Sequence, residues 1–354
     1  MTSGRGDFRL DPIPCGWLKP EGAMNGRFAA GLAGLLWAAL ATAAPTQPAA
    51  WQAMAWNEGA DDCEAASQPP LQVRRLDATT FVLRQGLCVD FEANFLYLLI
   101  GNERALLIDS GAVADPALMP LARRVIALLP EREGAKLPLL VAHTHGHRDH
   151  REGDAQFAAL PGVRIVPADV DGMRRFYGFD RWPEGSARLD LGARVVQVLP
   201  APGHHPAHVV FHDGQTGVLF TGDFLLPGRI TVDDADAFEA SARRIAAFVR
   251  DRSIPHVLGG HVELDVDGEL YPHGATHHPR ERGLGLAKAD VLALPDALAG
   301  FNGFYARHAN FVLTDPVRNL AVLAAALVAA LALAGWAIVR LLRRRRAARA
   351  ACAV

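Results

Sequence analysis

Eight consecutive residues, His143-Thr144-His145-Gly146-His147-Arg148-Asp149-His150, follow directly on the apolar run Leu139 to Ala142. Four histidines and an aspartate at a strand end constrain this chain more than any other feature. Side chains alternate across a strand, so His145 and His147 point the same way at period two. Asp149 and His150 follow where the chain turns toward a helix, and two pairs of ligands side by side can serve two adjacent cations. Neutral imidazole and carboxylate suit zinc, iron and manganese, and a zinc site that does catalysis keeps one position open for water. A histidine cluster alone also fits a solvated loop with adventitious metal affinity, so the reading depends on other segments.

Three segments repeat the arrangement. Pro202-Gly203-His204 follows the strand-like run Val195 to Leu199, Gly222-Asp223 follows Val218 to Thr221, and Gly259-Gly260-His261 follows Pro255 to Leu258. Each sets one ligand-type residue beside a small residue that lets the backbone approach an ion. Loops at strand ends on a rigid scaffold are where catalytic groups collect.

The segments between these motifs suggest the scaffold. Leu71 to Leu76, Thr79 to Leu83, Phe95 to Ile100 and Ala105 to Ile108 read as short antiparallel strands. After Asp109-Ser110-Gly111 the period becomes helical, with Leu118, Leu121, Val125, Ile126 and Leu129 on one face. Strands at Leu139 to Ala142, Val163 to Val166, Val195 to Leu199, Val209 to Phe211, Val218 to Thr221 and Pro255 to Leu258 then share the chain with a helix over Phe238 to Val249. From Leu286 to Val312 the pattern predicts helical patches interrupted by Pro295 and Gly303. Such an order predicts sheets covered by helices.

Taken together, Leu107-Ile108-Asp109-Ser110-Gly111, His145-x-His147-x-Asp149-His150, and then His204, Asp223 and His261 in that order resemble the metallo-β-lactamase superfamily, in its branch with an aspartate at the bridging position. The resemblance covers about Leu71 to Val312 and implies an α/β fold, a four-layer αββα sandwich. It further implies that His145, His147 and His204 bind one metal, that Asp149, His150 and His261 bind a second, and that Asp223 bridges them. Asp109 matches the family's structural aspartate near the site; taken alone it reads equally as an acidic cap after a strand. The implied cofactors are two divalent ions, zinc foremost, with manganese or iron as alternatives.

Two cations held together lower the pKa of a shared water and polarise a substrate oxygen. The expected function is a dinuclear metal-dependent hydrolase whose metal-bridging hydroxide attacks an ester, thioester, lactone or phosphoester. The metals would clamp the oxyanion and Asp149 would be the catalytic proton acceptor. A β-lactamase is the second reading: export favours it, while resistance enzymes of that kind typically lack an aspartate where Asp223 stands. An iron-dependent oxidative enzyme of the same fold would show altered or fewer ligands, and a non-enzymatic binding module would have lost some. A glutathione-thioester hydrolase of the glyoxalase type shares the ligand pattern, but no basic C-terminal glutathione site is evident, and Lys19, Lys136 and Lys288 are the only lysines. Among the spare histidines, His143, His205, His208, His273, His277 and His278 read foremost as surface or hydrogen-bonded side chains.

The two ends point to a membrane. Leu320 to Val339 contains neither charge nor proline, and about twenty apolar residues at about 1.5 Å rise match a hydrocarbon core of about 30 Å. Arg340, Arg343 to Arg346 and Arg349 follow it. The positive-inside rule then leaves a basic cytoplasmic tail at 340–354 and the body on the far, periplasmic side. At the other end Arg27, the apolar Phe28 to Leu40 and Ala41-Thr42-Ala43 have the form of an export signal or anchor, with Met24 as an alternative start. Residues 1–43 are thus read as extension and signal, 44–70 as linker, 71–312 as the catalytic domain and 320–339 as a transmembrane helix. The formal charge of −2 includes the arginine tail, so the body is acidic and nucleic acid is excluded as its partner. The expected partners are a small-molecule substrate and the membrane. Cys63 and Cys88 fall in the oxidising compartment on this reading, where one disulfide and two free thiols both stay open.

Overall fold

The structure is a computed structural model and describes residues 56–351. The expected export segment at 1–43 and the first part of the linker lie outside the described residues.

Two six-stranded sheets carry the body. The first runs, in spatial order, Leu71–Arg75, Thr80–Gln85, Phe95–Ile100, Ala105–Ile108, Leu139–Ala142 and Val163–Ile165. The second runs Gly285–Leu286, Val257–Gly259, Leu219–Gly222, Val209–Asp213, Val195–Pro200 and Ala187–Asp190. The central strands of the first sheet, Phe95–Ile100 and Ala105–Ile108, are apolar and buried throughout because both faces are covered.

Period-two alternation sorts these residues into layers. Tyr97, Leu99, Leu106 and Ile108 of the first sheet meet Val196, Val198, Phe211 and Phe220 of the second in the central core. Leu96, Leu98, Leu107 and Val141 face the other way, onto Leu121, Val125 and Phe157. Val210, Leu219 and Val257 face outward from the second sheet onto Phe238, Ile245, Val249, Val291 and Leu294. The result is a helix, sheet, sheet, helix sandwich, in which each fully buried Leu or Phe contributes roughly 1.5–3 kcal/mol. The helix Ala235–Arg250 starts where the Asp234 carboxylate accepts from Ala237 N at 3.0 Å, a cap worth about 1 kcal/mol.

The segment 286–312 differs from the sequence expectation. The helix Lys288–Ala299 continues through Pro295, which is buried on the same side as Val291, Leu294 and Leu298. Packing of that side onto the second sheet outweighs the lost backbone bond. Beyond it the chain is extended: Tyr305–Arg307 and Val312–Thr314 form a three-stranded sheet with Arg229–Thr231. The helix Val170–Tyr177 and the strand Ala187–Asp190 lie in segments for which the sequence pattern suggested no element.

Residues 56–70, within the expected linker, lie against the body. Trp56 packs edge-on to Phe95, Ala60 N donates to Thr276 O, and Cys63 is joined to Cys88 in a disulfide with 5.3 Å between Cα atoms. That pairing resolves the two cysteine alternatives. At the far end one helix, Pro316–Ala351, leaves the body. Its part from Pro316 to Arg344 is long and apolar enough to cross a membrane, with a mean hydropathy of 2.5 over its most apolar 18 residues and none of that stretch buried.

Candidate metal centre

Both sheets contain parallel strands, two such pairs in the first and one in the second, and the ligand-type residues collect at the C-terminal ends of one pair in each. In the first sheet Ala105–Ile108 and Leu139–Ala142 run parallel and lead into Asp109 and the 143–150 segment. In the second, Leu219–Gly222 and Val257–Gly259 lead into Asp223 and His261. His204 comes from the connection between Val195–Pro200 and Val209–Asp213, and Val209 N donates to Thr144 O at 2.7 Å, which joins the sheets beside the site.

All seven of these side chains come together, in two groups. His145, His147 and His204 form one; Asp149, His150, Asp223 and His261 form the other. In the first, His147 Nδ1 lies 2.9 Å from His145 Nε2 and 3.0 Å from His204 Nε2. In the second, His150 Nε2 lies 3.1 Å from Asp149 Oδ2, 3.3 Å from Asp223 Oδ1 and 3.3 Å from His261 Nε2. Asp223 faces both groups, with Oδ1 toward His150 and His261 and Oδ2 3.6 Å from His204 Nε2.

Partners behind the rings decide which nitrogens face inward. His204 Nδ1 donates to Thr231 O at 3.0 Å and His261 Nδ1 to Glu92 O at 2.7 Å, since a carbonyl only accepts. His150 Nδ1 donates to Asp109 Oδ2 at 2.9 Å. Thr144 Oγ1 gives its proton to the same Asp109 oxygen at 2.9 Å, and so accepts from His145 Nδ1 at 3.1 Å. The inward nitrogens of His145, His204, His150 and His261 therefore carry lone pairs in their neutral forms, the tautomers that ligation requires. Two such lone pairs meet at His147 Nδ1, where a single proton cannot serve both.

These donors fit divalent cations. Tetrahedral ligands at about 2.0–2.1 Å have donor separations of about 3.3 Å, and the second group holds separations of 3.1, 3.3 and 3.4 Å. Asp223 Oδ1 is buried without a hydrogen-bond partner, an arrangement costly for a carboxylate oxygen unless a cation answers it.

The charges divide the groups further. Burial, and then the neighbouring imidazoles, hold His145 well below the ordinary histidine range, and His147 is lowered for the same reasons. Burial opposes ionisation of Asp149 and Asp223, yet His150 and His261 beside them hold both below the usual carboxylate range. Burial likewise opposes a charge on His261, but Asp223 and Asp149 outweigh it and push the ring up to about 10. Two carboxylates among imidazoles make the second group the more anionic of the two.

Asp109 is buried, has φ 63° and accepts Thr144 N at 2.7 Å as well as His150 Nδ1. It orients a ligand-type ring and does not cap the strand. Among the spare histidines, His143 turns away to Asp154 Oδ1 at 2.8 Å and His278 to Glu281 at 3.0 Å. His205 packs on His147, and His208 stacks on His145 at 4.9 Å. The sequence reading missed Asn94, whose Nδ2 donates to Asp149 Oδ2 at 3.1 Å, along with the carbonyls of Glu92 and Thr231. Fifty-five residues separate Asn94 from Asp149, and no local pattern connects them.

Residues 89–255 match the family profile described as the metallo-beta-lactamase superfamily, the family that the sequence motifs resemble. Similar curated proteins include a hydroxyacylglutathione hydrolase of Cereibacter sphaeroides (strain ATCC 17025), 30% identical over 160 residues, covering 44% of this chain and 62% of that protein. Another, from Anaeromyxobacter dehalogenans, is 36% identical over 133 residues, covering 37% and 46%. The chain thus spans about half to three fifths of the length of these relatives. Among solved structures, a metallo-beta-lactamase from Pontibacter korlensis overlaps 65% of this chain and 100% of its own at 15% identity, with a TM-score of 0.43.

Proposed function

We propose that the protein is a dinuclear metal-dependent hydrolase of a thioester or a related ester, lactone or phosphoester. The observation that carries this reading is the placement of Asp223, one carboxylate oxygen toward each ligand group and one of the two left without a hydrogen bond. His145, His147 and His204 would hold one ion and Asp149, His150 and His261 the other, with Asp223 between them. Two divalent cations, zinc foremost, supply an acidified water and a Lewis acid for the substrate oxygen when bound.

The chain's own residues do the rest. His147, Asp149 and Asp223 are the partly exposed members, so substrate approaches on their side. Asp149 keeps Oδ2 toward His150 and His261, which leaves Oδ1 to take the proton released in the attack. Thioesters come first among the substrates because hydroxyacylglutathione hydrolases are among the similar proteins. Glutathione itself need not be the leaving group, since the match covers only part of those relatives.

The same reading puts the helix at Pro316–Arg344 across a membrane, the arginine-rich tail in the cytoplasm, and the catalytic domain, Leu71 to Val312, on the opposite side behind an N-terminal export segment. The hydropathy of the helix and the arginines after it support that arrangement.

The test is elemental analysis of the purified full chain and of Asp223→Ala, together with turnover on thioester, ester, lactone, phosphodiester and β-lactam substrates. Two equivalents of zinc or manganese in the wild type, metal-dependent thioester cleavage and loss of both in the variant are expected. A metal-free chain with full turnover, or cleavage of β-lactams alone, overturns the reading.

A further inference from the structure

The second ligand group is built against a loop that contributes no ligand. This loop, 86–94, turns at Ala93, a buried residue with φ 45°, in the left-handed region that residues with a side chain seldom enter. The turn brings three neighbouring positions onto the site. Glu92 O accepts from His261 Nδ1 at 2.7 Å, Asn94 Nδ2 donates to Asp149 Oδ2 at 3.1 Å, and Phe95 N donates to the carbonyl of Gly260, next to His261, at 2.8 Å. Asn94 is fully buried, and its Nδ2 is also 3.4 Å from His261 Nε2.

The same loop is braced from outside. Cys88 is bonded to Cys63, Leu87 packs under Gly59, and the strand-like stretch around Gly59 bridges to His277. His278 N donates to Glu58 O at 2.7 Å, and Thr276 Oγ1 to Ala60 O at 2.9 Å. Residues 56–63, loop 86–94 and the segment 276–278 are thus fastened into one unit whose inner edge is the Glu92-to-Phe95 turn.

Resting on the dinuclear reading above, we infer that Asn94 is a positioning residue selective for the second metal, and that the Cys63–Cys88 disulfide is the brace that keeps it in place. Asn94 aims Asp149 Oδ2 at the cation by a charge-assisted hydrogen bond, and Glu92 fixes the His261 tautomer. Neither touches the His145, His147 and His204 group, so their loss weakens one cation and spares the other. Partners of this kind govern metal affinity by about 10–100-fold.

The experiment titrates the full chain in detergent with Zn²⁺ after chelation, and resolves the two binding steps in the wild type, Asn94→Ala, Asn94→Asp and the double variant Cys63→Ser with Cys88→Ser. Unfolding midpoints of the chelated proteins are recorded alongside. Asn94→Ala is expected to keep the first step and weaken the second about 10–100-fold, with the double cysteine variant shifted in the same direction. Asn94→Asp has the same shape without the donor and should weaken the second step too. Retained or tighter second binding in Asn94→Asp would overturn the donor role in favour of a carboxamide oxygen acting as ligand. Two unchanged steps in Asn94→Ala, or equal weakening of both, overturns the inference while the dinuclear reading stands. A wild type that binds fewer than two cations overturns both.

Discussion

Arg194 Nε and Nη2 lie 3.0 and 2.7 Å from the two carboxylate oxygens of Asp213, and both side chains are fully buried. Arg194 also donates to Thr79 O at 3.0 Å, Ile100 O at 3.3 Å and Thr80 Oγ1 at 2.8 Å, so a cation next to the second sheet ties down the first. A buried pair adds little net stability, but removing one partner strands the other at a cost of about 3–5 kcal/mol. Asp213→Asn is therefore expected to lower the urea midpoint by a corresponding amount, and Arg194→Met in the same chain to restore part of it. Burial opposes the Asp213 charge, yet the Arg194 guanidinium and the Thr216 hydroxyl hold its carboxyl below the usual range. A depressed folded value means that this contribution is complete above about pH 4 and fades as pH falls through that lower value. Wild type should lose more stability than Asp213→Asn between about pH 7 and about pH 3. Parallel losses would refute the assignment.

Asp109 sets the tautomer of His150, and its own shape can be kept while that property is removed. Its two oxygens accept from Thr144 N on one side, and from Thr144 Oγ1 and His150 Nδ1 on the other. A carboxamide offers only one oxygen, so Asp109→Asn turns a donor toward His150 Nδ1 or loses the Thr144 amide. Asparagine tolerates the positive φ at this position, and the fold should survive. Zn²⁺ titration should show the second cation weakened about 10–100-fold with an unfolding midpoint close to wild type. Unchanged binding would mean that His150 is held by packing alone.

The histidine and aspartate constellation was legible in the sequence because every member sits just after an apolar strand, where local pattern and chemistry coincide. The sandwich was legible for a related reason: continuous apolar runs such as Phe95–Ile100 announce burial on both faces. What stayed hidden depends on contacts between distant segments. Nothing near Asn94 signals Asp149, nothing near Cys63 settles its pairing with Cys88, and the extended run Val312–Thr314 is a strand because Arg229–Thr231 and Tyr305–Arg307 lie on either side of it. Pro295 misled in the opposite sense, since a local breaker was overruled by the core around Leu294 and Leu298.

Gly203 precedes His204 with φ 146°, and a Cβ there would stand 2.3 to 2.5 Å from Phe238 Cβ, Cα and Cγ. Its carbonyl also accepts from Asp233 N and Asp234 N, where the helix Ala235–Arg250 begins. Gly203→Ala must therefore move either the His204 loop or the start of that helix, and overpacking of this kind costs about 1–3 kcal/mol. We expect a lowered unfolding midpoint together with weaker binding at the His145, His147 and His204 group. An alanine variant with wild-type midpoint and wild-type first-step affinity would show that the loop relaxes without cost.

The proposed topology makes Cys352 a reporter, because it follows the arginine cluster while the disulfide occupies Cys63 and Cys88. Charges of this density beyond an apolar span resist export. A membrane-impermeant maleimide added to intact cells should leave Cys352 unlabelled, and permeabilisation should expose it, with Cys352→Ser as the control that attributes the signal. Carbonate washing should leave the chain in the membrane fraction, since a helix with a mean hydropathy of 2.5 over its most apolar 18 residues does not depend on surface charge for retention. Labelling of Cys352 from outside would invert the orientation and place the metal centre in the cytoplasm, where glutathione thioesters would return as the leading substrates. Release by carbonate would remove the membrane span itself and leave the exposed apolar face of Pro316–Arg344 to be covered by another protein chain.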